Sequence, residues 1–206
     1  MDDKFRDILE RSKEVFMRYG MKSVTMDDIS RELKISKKTL YKYVDNKEDL
    51  VCRAVEDHVN TDMCHIMEMR NDAENAIDEM LLIIRSVSEM LSRIHPSIHY
   101  DIEKYYPRAW EVMQRFKHEG IFNTMRENME RGMDEGLYRS NLKPDIIARM
   151  YVSNVDKIWD ASIFPSDKYK FKDVYLEYIR YHIRGISTKK GMKYLIERIK
   201  QLELDL

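Results

Sequence analysis

The chain has 206 residues, 43% of them hydrophobic and 35% charged, with a formal net charge of −1, six glycines, four prolines and two cysteines. Near-neutral charge excludes a generally basic chain, two cysteines exclude a disulfide scaffold, and no apolar run approaches the ~20 residues that span a membrane. Strand-like alternation, internal repeats and low-complexity linkers are missing, so the expected class is all-α, in one or two domains. The acidic start Met1-Asp2-Asp3-Lys4-Phe5 reads as no secretory signal, and the expected location is the cytoplasm.

In chain order, Phe5, Ile8, Leu9, Ser12, Val15, Phe16 and Tyr19 recur at the spacing of one helical face, and Gly20 is a natural stop. Thr25 precedes a second helix and has Asp28 three residues on, a capping-box pattern, with Ile29 and Leu33 as its single apolar stripe. Ser36 caps a third helix whose first turn is Lys37-Lys38-Thr39 and whose apolar anchor is Leu40. Asn46 caps a fourth, with Glu48 and Asp49 placed to complement its dipole. Two short helices joined by a tight turn, the second tipped with lysine, form a helix-turn-helix suited to a DNA major groove.

The charges fall where that reading needs them. Residues 31–47 carry Arg31, Lys34, Lys37, Lys38, Lys42 and Lys47 against Glu32 and Asp45, six against two, a local net of +4 in a chain of net −1. Such a patch supplies the sequence-independent part of DNA affinity. The expected DNA contacts are Thr25, Ser36, Lys37, Lys38, Thr39, Tyr41, Tyr43 and Lys47.

Here the chain resembles the TetR family of bacterial transcriptional regulators. The family pattern T-x-x-D-I-A, then S-x-x-T-L-Y-x-[HY]-F and x-x-K-E-x-L, is matched by Thr25, Asp28, Ile29, Ser36, Thr39, Leu40, Tyr41, Tyr43, Lys47, Glu48 and Leu50. The resemblance implies that Thr25, Tyr41, Tyr43 and Lys47 touch phosphates and that Lys37, Lys38 and Thr39 read bases. Lys34 and Lys38 stand where the family often has glycine, Val44 where it has phenylalanine, and Ser30 where it has alanine.

Beyond residue 50 the sequence reads as long helices. One runs from Lys47 to about Arg70, one from about Asp72 to Ile94, a short one to Tyr106, and one from Pro107 to Gly136, interrupted by Gly120. Others start at Pro144, cover Phe171–Arg184, and span about Lys189–Leu202, nine or ten helices in all. The expected division is a DNA-binding head at 1–48 and a regulatory and dimerisation body at 49–206, with the junction inside a continuous helix.

Two helices of the body read as a dimer interface. The apolar positions from Ile146 to Ile163 are too many for one buried face, those of Phe171–Ile186 form a stripe that includes His182, and Met150, Tyr151, Ile158, Tyr175, Tyr178, Ile179 and His182 are the expected contacts. An intrachain core is the alternative. Met63, Met67, Trp110, Met113, Phe116, Phe122 and Met125 are candidates for a ligand site, since methionine suits surfaces that repack; ordinary core is the competing reading.

The six histidines form no dense ligand set, and Cys52 and Cys64 lie twelve residues apart on one predicted helix, about 18 Å along its axis. Both read as buried free thiols, and neither metal nor cofactor is expected. HExxH, GxSxG and glycine-rich phosphate loops are absent, so the chain is not read as an enzyme. The expected function is a ligand-responsive regulator that binds a pseudo-palindromic operator as a homodimer, in the sense of repression. Its partners would be duplex DNA, a second copy and a small, largely apolar inducer, which the resemblance implies. The alternative is a regulator of the same fold whose body takes a protein partner.

Overall fold

A computed structural model describes residues 2–202, and they are helical apart from turns and one isolated antiparallel bridge, Tyr138 with Ser187. By packing they divide into two compact units, Met1–Met63 with Arg93–Phe116, and Cys64–Ser92 with Lys117–Leu206. The unit that carries the head is therefore larger than residues 1–48. Among the described residues, no helix is long and apolar enough to cross a membrane.

The first unit holds α1 (Asp3–Tyr19), α2 (Met26–Glu32), α3 (Lys37–Leu40), the first part of α4 (Lys47–Asp72), α6 (Ile98–Tyr105) and α7 (Pro107–Arg115). Its core joins Phe5, Ile8, Phe16, Ile29, Leu33 and Leu40 to Leu50 and Val55 of α4 and to Ile98 and Ile102 of α6. A three-helix head has too little apolar surface to stand alone, and this shared core supplies the rest. The expected face of α1 is buried from Phe5 to Phe16, but Tyr19 is exposed, because the helix ends there. Gly20 follows at φ 81°, a left-handed value that glycine tolerates, and a Cβ there would press on the Ser97 hydroxyl.

Asp101 ties α6 to the loop after α1. Its carboxylate accepts the backbone N–H groups of Met21 at 3.1 Å and Lys22 at 3.0 Å and the Ser97 hydroxyl at 2.9 Å. Cys52 is buried in this unit, whereas Cys64, expected buried, lies on an exposed face of α4. A helix of 26 residues cannot bury every side, and Cys64 falls where polar neighbours His65 and Glu68 also face water.

The second unit holds the end of α4, α5 (Ala76–Leu91), α8 (Phe122–Asp134), α9 (Pro144–Val155), α10 (Phe171–Ile186) and α11 (Lys189–Gln201). The predicted start of α5 near Asp72 is displaced to Ala76, because Asn75 caps it through the Ile77 and Asp78 N–H groups at 3.0 and 3.1 Å. The buried carboxylate of Asp78 then accepts from Tyr194 at 2.6 Å and Arg198 at 2.8 Å, fixing α11 to α5. The rod after Pro107 is not uniform. Residues Phe116–Ile121 form a π-helical stretch around Gly120, and its buried Lys117 pairs with Asp156 in the 3₁₀ turn Asp156–Trp159 after α9. A π-bulge accommodates one extra residue in a helix, and here it coincides with the glycine that interrupts the sequence pattern.

Lys34 has φ 55° in the turn after α2, a left-handed conformation that costs a side-chain-bearing residue about 1–2 kcal/mol. Lys34→Gly should therefore raise stability by about 1 kcal/mol, read as a melting shift of about 2–4 °C for a chain this size; an unchanged or lower melting temperature would contradict the strain. His182 packs on the rings of Tyr151 and Tyr178, and burial lowers its pKa from 6.5 to about 4. The folded state thus resists a proton that the unfolded chain accepts. Stability should fall as pH drops through the window from 6.5 towards 4, by up to about 3 kcal/mol at about 1.4 kcal/mol per unit. His182→Gln should flatten that part of the profile, and a slope equal to the unsubstituted protein's would assign the loss to other groups.

Candidate DNA-binding interface

The helix-turn-helix is assembled by local hydrogen bonds that the sequence encodes. The Thr25 hydroxyl accepts the Asp28 N–H at 3.2 Å and donates to the Asp28 carboxylate at 2.6 Å, while the Thr25 N–H donates to the same carboxylate at 3.0 Å. This completes the capping box at α2. The hydrogen bonds from Thr25, assisted by Arg31, hold the Asp28 carboxyl below its usual pKa. At the other end of α2, Leu33 is the C-cap. The Ile35 N–H donates to the Ser30 carbonyl at 3.0 Å and the Lys34 N–H to the Arg31 carbonyl at 3.1 Å. That pair of bonds is a Schellman motif, which requires Lys34 in its left-handed conformation.

The next helix is short and firmly placed. Ser36 accepts the Thr39 N–H at 3.0 Å and its hydroxyl lies 2.8 Å from that of Thr39. Leu40 is fully buried, whereas Ser36, Lys37, Lys38, Tyr41 and Lys42 are exposed and Thr39 is half-buried. One side of α3 is anchored in the core and the other meets solvent.

Each predicted contact residue has a distinct environment. Lys37 forms an ion pair with Asp27 of α2, so its ammonium is engaged within the head and can reach a base edge only by exchanging that partner. Lys38 is exposed in the first turn of α3, and Tyr41 presents its ring beyond the helix end. Tyr43 stacks on Phe5 with ring centroids 5.5 Å apart, and its hydroxyl donates to Asp2 at 3.2 Å; desolvation and that carboxylate raise its pKa. Lys47 is half-buried and donates to the Lys22 carbonyl at 3.1 Å, and desolvation lowers its pKa against the pull of Asp101 and Asp28. Thr25 and Lys47 are thereby gathered beside the loop between α1 and α2. Asp27, Asp2 and Lys22 were not among the expected functional residues, because their partners lie 10 to 41 positions away in sequence and no local pattern announces them.

Asn46 closes the motif, accepting the Asp49 N–H at 2.9 Å at the start of α4; Asp49 in turn accepts from Arg53 at 2.9 Å. An array of exposed ammonium and hydroxyl groups on a rigid anchored scaffold can bind phosphates and offer donors to purine edges.

The other candidate sets are distributed differently. Of the ligand candidates, Met63, Trp110, Met113 and Phe116 belong to the first unit, with Trp110 and Met113 packed on its core; Met67, Phe122 and Met125 belong to the second. Met67 is exposed and Met125 buried. Of the expected dimer contacts, Tyr151, Ile158, Tyr175 and Ile179 are buried within the protomer, Tyr178 and His182 are half-buried, and Met150 is exposed. The Tyr178 hydroxyl donates to the Tyr151 carbonyl at 3.2 Å, and burial pushes its pKa up to about 12. Exposed apolar side chains of α9 and α10 are instead Ile146, Met150 and Tyr181. Among the described residues, no group of three histidine, cysteine or acidic side chains could hold a metal ion.

Comparison with known proteins meets this geometry at the same residues. Residues 8–54 match the family described as bacterial regulatory proteins, tetR family. An uncharacterized HTH-type transcriptional regulator of Bacillus subtilis, YvaF, is 24% identical over 140 residues, covering 67% of this chain and 72% of the relative. Among solved structures, a TetR-family regulator from Agrobacterium tumefaciens superposes with a TM-score of 0.70 at 17% identity, over 90% of this chain and 98% of that one. FadR from Bacillus subtilis, solved with stearoyl-CoA, gives 0.61 at 16% identity over 88% and 99%. The matched segment contains α2, α3, their caps and the start of α4, so residues 8–54 carry the helix-turn-helix segment of the tetR family of bacterial regulatory proteins, and the whole chain shares the fold of solved tetR-family regulators.

Proposed function

We propose that this regulator acts as a homodimeric repressor that reads a pseudo-palindromic operator and releases it when a small, largely apolar molecule binds the helical body. The observation that carries the DNA reading is the two-sided α3, with Leu40 buried and Lys38 exposed in a segment of local net charge +4. Lys38 and Thr39 are the base-reading set, with Lys37 joining once it leaves Asp27. Thr25, Ser36, Tyr41, Tyr43 and Lys47 are the phosphate set. Base contacts carry specificity and phosphate contacts carry salt-dependent affinity.

A dimer suits this role because two recognition helices about 34–36 Å apart address half-sites one turn apart. Ile146, Met150 and Tyr181 support an interface on α9 and α10. They are large apolar groups in solvent on helices whose opposite faces are already filled by Ala148, Tyr151, Val152 and Ile179. The breadth of the apolar pattern is then shared between the protomer core and a second copy.

Ligand response draws support from the stearoyl-CoA held by FadR, a protein of the same fold. Within this chain, α4 is one uninterrupted helix from Lys47 to Asp72 that contributes to both compact units. A ligand that prefers one setting of that helix shifts the population of DNA-competent dimers. Moving the balance from 99:1 to 1:99 requires about 10⁴-fold differential affinity.

Selection of bound duplexes from a random pool tests the DNA reading, and the expected product is a two-fold symmetric site. Lys38→Ala should change the selected sequence as well as weaken binding. Lys47→Ala should weaken binding to all duplexes alike and reduce the salt slope by about one unit per head. A Lys38 variant that selects the same bases would move base reading elsewhere on α3. The interface is tested by Met150→Asp with Tyr181→Glu, at side chains 58% and 81% exposed in the protomer. Sedimentation should give monomers with little change in helical content, whereas persistent dimers would place the interface on another surface.

A further inference from the structure

The face of α6 beside the head carries cations and phenols that the helix-turn-helix reading leaves unused. Lys22, in the loop between α1 and α2, donates from its ammonium to the Tyr105 hydroxyl at 2.8 Å and lies 4.3 Å from that ring's centroid. Lys104 donates to the Tyr100 hydroxyl and stands 5.0 and 5.6 Å from the ring centroids of Tyr100 and Tyr105. The two phenol rings meet edge to face at 6.3 Å. Lys22, Tyr100 and Lys104 are exposed and Tyr105 is half-buried.

We infer that Lys22, Lys104, Tyr100 and Tyr105 form a second phosphate-contact surface, which extends the regulator's grip on duplex DNA beyond its helix-turn-helix. The inference rests on the DNA-binding reading above.

Three observations carry it. The first is continuity: the Lys22 carbonyl accepts from Lys47, a phosphate candidate of the head, so the new surface begins one residue's reach from the expected one. The second is charge. Both lysines are partnered by neutral hydroxyls rather than carboxylates, so their positive charge is not cancelled locally. The nearest acids on α6 do not oppose this: Asp101 is buried with its carboxylate turned onto the Met21 and Lys22 amides, and Glu103 lies about 100° around the helix from Lys104.

The third is donor geometry. Each phenol oxygen accepts from a lysine, which leaves the phenol's own proton to donate outward, so the cluster presents two ammonium and two hydroxyl donors to one anion-facing patch. The hydrogen bond from Lys22 and the charge of Lys104 lower the Tyr105 pKa, which strengthens it as a donor. Asp101, Ser97 and the Met21 and Lys22 amides hold the loop against α6, so the patch is set before DNA arrives.

The test uses the full-length chain and a selected operator in two lengths, one ending at the half-sites and one extended on both flanks. Lys22→Gln with Lys104→Gln should lower the salt slope by about two units per head on the extended duplex, at about 0.9 per phosphate. The selected base sequence should stay the same. Tyr105→Phe, which keeps both charges, should weaken binding to the extended duplex by a few fold with the slope unchanged. A double variant whose slope on the extended duplex equals that of the unsubstituted protein overturns the inference, as does a loss confined to thermal stability. Failure of the unsubstituted chain to bind any duplex at low salt would instead overturn the DNA-binding reading itself. Loss of binding on Lys38 substitution with no effect of the α6 pair would leave that reading intact and remove only the second surface.

Discussion

A helix of four residues has no stability of its own, since isolated helices are marginal even at about 12–15 residues. The direction in which α3 points is imposed from outside, and everything functional in the head depends on that imposition. Three attachments supply it. Leu40 is sealed into the core shared with α1, α2 and α4, the Ser36 hydroxyl takes up the Thr39 amide, and the Schellman turn at Leu33–Ile35 sets the angle at which the chain leaves α2. The ion pair from Lys37 to Asp27 adds a tether between the two helices. Lys34 keeps its left-handed backbone because the two amide–carbonyl bonds of the turn and the burial of Leu33 together outweigh its strain.

The same scaffold concentrates charge. A chain of net −1 has no long-range pull on DNA, so association must rely on a local field near the phosphates. Within the head the acids are placed to shape lysines rather than cancel the patch. Asp28 serves the capping box, Asp49 supports the start of α4, and Asp27 restrains Lys37, while Lys38 and Lys42 stay exposed. Lys47 differs: partial burial and its bond to the Lys22 carbonyl hold its ammonium in place, so as the proposed phosphate contact it would lose less freedom than a mobile lysine.

What could be read from the sequence follows the range of the interactions. The caps at Thr25, Ser36 and Asn46 were legible because donor and acceptor lie three residues apart. The apolar stripe of α1 was legible up to Phe16, though not the release of Tyr19 at the helix end. Contacts such as Phe5 with Tyr43, or Lys22 with Tyr105, join segments 38 and 83 positions apart, and no local spacing encodes them. In the body, the stripes on α9 and α10 told correctly that broad faces are apolar. A stripe does not state what covers it: Tyr151, Tyr175 and Ile179 are covered by their own protomer, and Met150 and Tyr181 are not. Gly120 marked an irregularity, but its form, a π-helical stretch with Lys117 held by Asp156, depends on a partner 39 residues away.

The shortness of α3 also bears on the proposed pairing with a second copy. In the proposed reading, the single turn of α3 gives a head two or three side chains for base edges. At about 1–3 kcal/mol of discrimination each, one head separates its site from others by roughly 2–9 kcal/mol, about 5 in the middle of that range. A bacterial genome offers about 10⁶ competing positions, which corresponds to roughly 8 kcal/mol at about 1.4 kcal/mol per factor of ten. Phosphate contacts cannot close that gap, because they strengthen right and wrong sites equally. Two heads joined at a fixed separation add their base contacts and bring the sum to the needed range. The proposed pairing through the exposed apolar groups on α9 and α10 would therefore meet the requirement that the brevity of α3 sets.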